Sequence, residues 1–180
     1  MSDPNLEIPL RTAADTTGDV QRILGKLEER GKNLKIHRIL ANSSATFRPF
    51  ILLLSSLLFD AALPAQEREI VILHLAARRG VTYEWEEHVP VSEDVGISEE
   101  LRNALSDGTL DHVDIFSERQ RLALEVADVI IRERVLPKEL WMKATQAWGQ
   151  EGALDLILTV AFWGGYVPTI IEAIGLHSVE

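Results

Sequence analysis

The stretch that decides the fold is EIVILHLAARRGVTYEWEEHVPVSEDVG, residues 69–96. Its first half repeats apolar residues at helical spacing, with Ile70, Leu73, His74 and Ala77 on one stripe. Arg78 and Arg79 suit the negative C-terminal end of such a helix, and Gly80 is the expected stop. Thr82 is placed to cap a second helix, with Glu84 in its first turn. That helix carries Tyr83, Glu84, Trp85 and His88, runs to about Val95 and closes at Gly96. Pro90 cannot donate to the carbonyl of Glu86, which predicts a kink or an early end there.

Upstream, Pro64 suits the first turn of the 69–79 helix, and Glu67 and Glu69 favour its positive end. Before it comes an apolar segment, Phe47 to Asp60, with Pro49 near its start. It is apolar almost all round, so it should be buried in the domain or in an oligomer interface. Thr17 to Arg30 reads as a helix with Val20, Ile23, Leu24 and Leu27 as its stripe, ended by Gly31. Leu34 to Ala41 is a short helix carrying His37, read as half-exposed. Residues 1–16 hold Pro4 and Pro9 without periodicity and read as an extended arm; residues 17–180 read as one all-helical domain.

Downstream, Ser98 caps a short helix with Leu101, Ala104 and Leu105. Asp107 to Phe116 reads as a loop, in which His112 is solvated. Ser117 caps a long helix to about Arg134, and Pro137 opens another with Leu140, Trp141, Ala144 and Trp148. A last helix spans about Gly152 to Ile174, with Gly164, Gly165 and Pro168 as a contact, break or kink. Trp141, Trp148 and Trp163 read as core or interface anchors. No segment alternates like a run of strands, so the fold class is all-α.

Composition narrows the function. The chain has 180 residues, 46% of them apolar, enough for one domain with a real core. Its formal charge of −10 argues against a nucleic-acid partner, which needs a net basic face. It contains no cysteine, which removes disulfides, thiolate metal sites and thiol redox chemistry. The polar, acidic N-terminus shows no secretory signal, and the longest apolar run, Phe50 to Phe59, is about half the ~20 residues a membrane span needs. A soluble, cytoplasmic protein is expected, with neither membrane nor nucleic-acid partner.

The chemistry-bearing residues crowd into the same stretch. Glu84 and His88 are four apart and share a helix face. If the two helices form an antiparallel hairpin at Gly80, Glu69 and His88 lie ~16 and ~12 Å from the turn and can meet. A carboxylate beside an imidazole raises the histidine pKa and orients the ring for acid/base work. Tyr83 and Trp85 are candidates to line a substrate site. Three alternatives stay open on spacing alone: a solvated Glu/His pair on a non-catalytic oligomeric helical protein, a metal-dependent enzyme with Glu69, Glu84 and His88 as ligands, and an acid–base enzyme.

The string GVTYEWEEHVPVSEDVGIS resembles the carboxymuconolactone decarboxylase family, which includes the alkylhydroperoxidase D-like proteins. The match lies in Tyr83, Glu84, Trp85 and His88, followed by Gly96 and Ser98. The upstream LPAQEREIVIL and the downstream FSERQRLALEVADVI and PKELWMKATQAWG extend the resemblance over roughly residues 35–175. It implies an all-helical fold built around a helical hairpin and a homo-oligomer, whether dimer, trimer or hexamer. In the family's peroxidase (peroxiredoxin-like) branch two cysteines stand between the glutamate and the histidine. Aligned on Glu69 and His88, those positions fall on Val81 and Glu84, so thiol peroxidase chemistry is not expected. The decarboxylase branch implies lyase chemistry on a small organic acid or lactone, with His88, Glu69 and Glu84 as acid–base residues, Tyr83 and Trp85 around the substrate, and no cofactor or metal.

Overall fold

The computed structural model describes residues 8–111 and 113–178, so the reading of His112 lies outside them. Among the described residues there are helices and turns and no strand. The helices are α1 (Gly18–Glu29), α2 (Lys35–Leu40), α3 (Ser44–Ser55), α4 (Ala65–Arg79), α5 (Thr82–Asp94), α6 (Glu99–Leu105), α7 (Glu118–Glu133), α8 (Lys138–Ala161) and α9 (Val167–Ile174). Single wider π turns extend α3 over Ser56–Asp60 and join α8 to α9 over Phe162–Tyr166.

α4 is the axis of the domain. It packs against α5, α6, α7 and α8. The sequence pattern predicts one buried stripe on it; instead every residue from Glu67 to Ala76 is buried. Helices on all sides remove the distinction between its faces, so Arg68, Glu69 and His74 go into the interior with Ile70, Val71, Ile72 and Leu73. That arrangement is tolerable only if each buried charge finds a partner.

Gly80 ends α4 in the left-handed conformation (φ 68°) and the chain turns back at once into α5. The hairpin therefore forms as the spacing predicts. Val81, not Thr82, holds the N-cap position. Pro90 does not end α5, which continues to Asp94. The turns beyond it are closed by Val95 N–H to Val91 O (3.2 Å) and Ile97 N–H to Ser92 O (2.9 Å). On the other side of α4, the loop before α7 is pinned by Gly108: its φ is +70°, and a Cβ there would stand 2.5 Å from Arg78 Cα.

The caps at Ser98 and Ser117 form as expected. Ser98 Oγ accepts from Leu101 N–H at 3.3 Å. Ser117 and Gln120 make a reciprocal capping box, at 2.9 and 3.3 Å. The helix expected from Gly152 instead starts just after Gly149, whose φ of 71° and ψ of 175° break α8. The segment Lys138–Ile174 reaches the length and apolarity of a membrane span. Counting uninterrupted apolar runs misses it, because polar residues punctuate it. Half of its most apolar window is buried inside the bundle, as in a core helix.

Two further expectations need correction. His37 is buried, not half-exposed; its Nδ1 lies 3.1 Å from Lys32 O. α3 and its π turn are not buried all round: Phe47, Phe50 and Leu57 face the core, but Leu52 and Leu53 are exposed and Phe59 is 80% exposed. An all-round apolar helix at the domain edge can bury only the side its neighbours reach. The described part of the arm lies along α2, with Arg11 N–H donating to Arg38 O and Asn42 Nδ2 to Pro9 O.

Candidate active site

The α4–α5 hairpin places Glu69 and His88 in direct contact. His88 Nδ1 and Glu69 Oε2 are 2.7 Å apart. One turn back on α5, Glu84 Oε1 lies 3.3 Å from His88 Nε2, so each ring nitrogen faces a carboxylate. Glu69 is fully buried, Glu84 nearly so, and His88 is 8% exposed. The indole of Trp163, from the π turn after α8, stands edge-on to the His88 ring, with centroids 5.8 Å apart and planes at 87°.

Burial, the largest single influence, disfavours the charged ring. Hydrogen bonds to Glu69 and Glu84 and the charges of both outweigh it, and the His88 pKa rises to about 10. His88 is thus an imidazolium at neutral pH, with Nδ1–H donating to Glu69 and Nε2 facing the Glu84 carboxylate. Such a ring can supply a proton once a reacting group takes the place of Glu84 at Nε2.

A fourth group closes the cluster. Arg68 Nε donates to the other oxygen of Glu69 at 3.2 Å. Arg68, Glu69, His88 and Glu84 thus form one ionic chain, each member more than nine-tenths buried. Adjacent residues do not share a helix face, so nothing in the spacing points to Arg68. Its recruitment follows from the burial of α4 on all sides. Trp163 is the core anchor its type predicts, and it also backs the histidine.

Tyr83 is sealed in the main core, and its hydroxyl accepts from Ile36 N–H at 3.3 Å. Burial raises its pKa. Trp85 is half-buried and packs with Val89 against Ile70, Leu73 and Phe116. Glu86 and Glu87, on the charged run beside the motif, are both half-buried, and burial raises the Glu87 pKa. Glu67 is held by Arg119 Nε at 3.1 Å and faces Trp148 Nε1 at 3.5 Å.

Among the described residues no three His, Asp or Glu side chains are arranged to hold a metal ion. The two carboxylates take opposite nitrogens of His88. An open groove of about 980 Å³ runs along α7 and α8, lined by residues such as Arg119, Leu122, Glu125 and Lys143; none of the four site residues lines it.

No family model and no curated protein matches the chain. Solved structures are similar to it, two of them as follows. One is an uncharacterized peroxidase-related protein from Silicibacter sp. TM1040, with a TM-score of 0.78 and 14% identity, over 97% of this chain and 91% of that one. The other is described as an alkylhydroperoxidase AhpD core, an uncharacterized peroxidase-related protein from Ralstonia eutropha JMP134. It has a TM-score of 0.78 and 20% identity, over 94% of this chain and 90% of that one. The chain therefore has the all-helical alkylhydroperoxidase D-like fold, carried by a sequence without cysteine.

Proposed function

We propose that this protein is a carboxymuconolactone decarboxylase-like acid–base enzyme acting on a small organic acid or lactone. The observation that carries the reading is the buried Glu69–His88 contact of 2.7 Å, with Glu84 on the ring's other nitrogen. His88 is the general acid and, once deprotonated, the base. Glu69 fixes the ring and stabilises its charged form. Glu84 occupies the reacting side of the ring in the free enzyme. Trp85 is the aromatic candidate to flank the substrate, and Tyr83 anchors α5 in the core. The reaction takes no cofactor or metal, and thiol peroxide reduction lacks its nucleophile.

The test is turnover of lactone carboxylates, followed by carbon dioxide release and by deuterium uptake at the α-carbon in heavy water. His88→Gln and Glu69→Gln should each lose about 100-fold or more. Wild-type rates in His88→Gln overturn the assignment. A second reading is favoured by one fact: both ring nitrogens are engaged and the ring is nearly sealed. On that reading the fold persists without chemistry, and the same variants change stability but no turnover.

The proposal includes a cytoplasmic homo-oligomer. Leu52, Leu53 and Phe59 form an apolar surface that a second copy would cover. Light scattering should give a dimer, trimer or hexamer, and Phe59→Glu should lower the mass; an unchanged mass removes this face from the interface.

A further inference from the structure

We infer that Arg68 is the receptor for the carboxylate of the substrate, an assignment that rests on the acid–base reading of the same site. A guanidinium is always charged and carries five N–H donors in a rigid fork. The Arg68 side chain is 8% exposed, yet among the described residues its only polar contact is the one from Nε to Glu69. Among the described residues neither terminal nitrogen has a partner, and neither is among the polar atoms sealed from solvent. A cation this deeply placed, with most of its donors unused, is costly unless something else takes them up.

Arg68 and His88 together balance the two carboxylates of the cluster, and only the Nε of Arg68 is used in doing so. What the guanidinium adds is an unused edge, formed by its two terminal nitrogens. A planar carboxylate is the complement of that edge, through two parallel charge-assisted hydrogen bonds. Arg68 and His88 sit on opposite oxygens of one carboxylate, so an anion held by Arg68 keeps its adjoining carbons next to the proton-carrying ring. The ligand class is a small monoanion or dianion bearing a carboxylate, in preference to the neutral amide or ester of the same shape.

The test is binding, read separately from turnover. Protein labelled with nitrogen-15 at arginine is titrated with acetate at pH 7 and constant ionic strength, with acetamide as the neutral control. Wild type should show a saturable shift of the Arg68 signals with acetate and none with acetamide. Arg68→Lys keeps the charge and loses the fork; it should bind acetate about tenfold more weakly or worse, with native circular dichroism. His88→Gln should still bind. For turned-over substrates, Arg68→Lys should raise KM more than it lowers kcat. No saturable shift in wild type overturns the assignment, and so does unchanged affinity in a folded Arg68→Lys. Acetate binding without any His88-dependent turnover leaves the receptor standing and overturns the acid–base reading. His88-dependent turnover without acetate binding does the reverse.

Discussion

α4 carries two buried histidine clusters, and they behave in opposite ways. At its N-terminal half, His88 of α5 meets Glu69 at 2.7 Å and Glu84 at 3.3 Å. Five residues on, His74 points to the seam with α7, where its Nε2 lies 3.5 Å from Asp128. Asp128 is already taken by Arg78 and Arg132. His74 Nδ1 has no partner among the described residues. Burial dominates there and lowers the His74 pKa, while two carboxylates raise that of His88 to about 10. His88 has a carboxylate on each ring nitrogen, whereas His74 has one, shared with Arg78 and Arg132. The Glu69 side of α4 thus favours a charged histidine and the Asp128 side disfavours one.

The sharpest way to break the contrast is to remove Glu69. Glu69→Ala strands a buried guanidinium and a buried imidazolium, and should cost about 3–5 kcal/mol in urea unfolding at pH 7. A loss under about 1 kcal/mol would mean that the chain of charges does not hold the hairpin. In the isosteric Glu69→Gln, nitrogen-15 NMR should show the His88 pKa falling well below the wild-type value of about 10. The pH dependence follows from the sign. His88 has a raised folded pKa, so its contribution to stability is complete below the unfolded value near 6.5 and is lost as pH rises through about 10. His88→Gln should flatten that alkaline limb of the unfolding curve.

The acid limb belongs to the depressed histidines. His37 has its pKa lowered to about 4, first by burial. The unfolded chain therefore takes up a proton that the folded chain refuses, and stability falls between pH 6.5 and 4 by about 3 kcal/mol on this account. His74 acts in the same direction from pH 6.5 downward. Chemical unfolding of His37→Gln and His74→Gln across this range should show shallower acid limbs; curves parallel to wild type would refute the assignment.

The smallest effects separate the two glycine loops flanking α4. Gly108→Ala combines a left-handed φ with a clash against the Arg78 backbone and should cost about 2 kcal/mol or more. Gly80→Ala meets nothing within 4 Å and should cost only the left-handed strain, about 1 kcal/mol. Thermal unfolding of the pair checks the order; a Gly80→Ala loss exceeding that of Gly108→Ala would show that the hairpin turn, not the Gly108 tie, carries the strain.

Several parts of the molecule were legible in the residues. The helices, the Gly80 turn, the Ser98 and Ser117 caps and the contact between Glu69 and His88 follow from short-range spacing, capping chemistry and a hairpin. What failed did so for one kind of reason. His37 and the outer face of α3 were misjudged because burial depends on which neighbours arrive, and those come from distant segments. Pro90 was overrated as a breaker, since the turns after it close through Val91 and Ser92.

By itself the sequence determined an all-helical chain, the place of the hairpin, the lack of a thiol nucleophile and the two residues that meet across the turn. Period, caps and composition are local properties, and a two-helix hairpin has one register at a glycine stop. Only the tertiary structure decided that α4 would be enclosed on every side. That enclosure brings Arg68 to Glu69, sets Trp163 against His88 and gives Asp128 to two arginines instead of to His74. Charges along a helix have no fixed partners until other helices exclude water from them, and that exclusion gives the two clusters their opposite character.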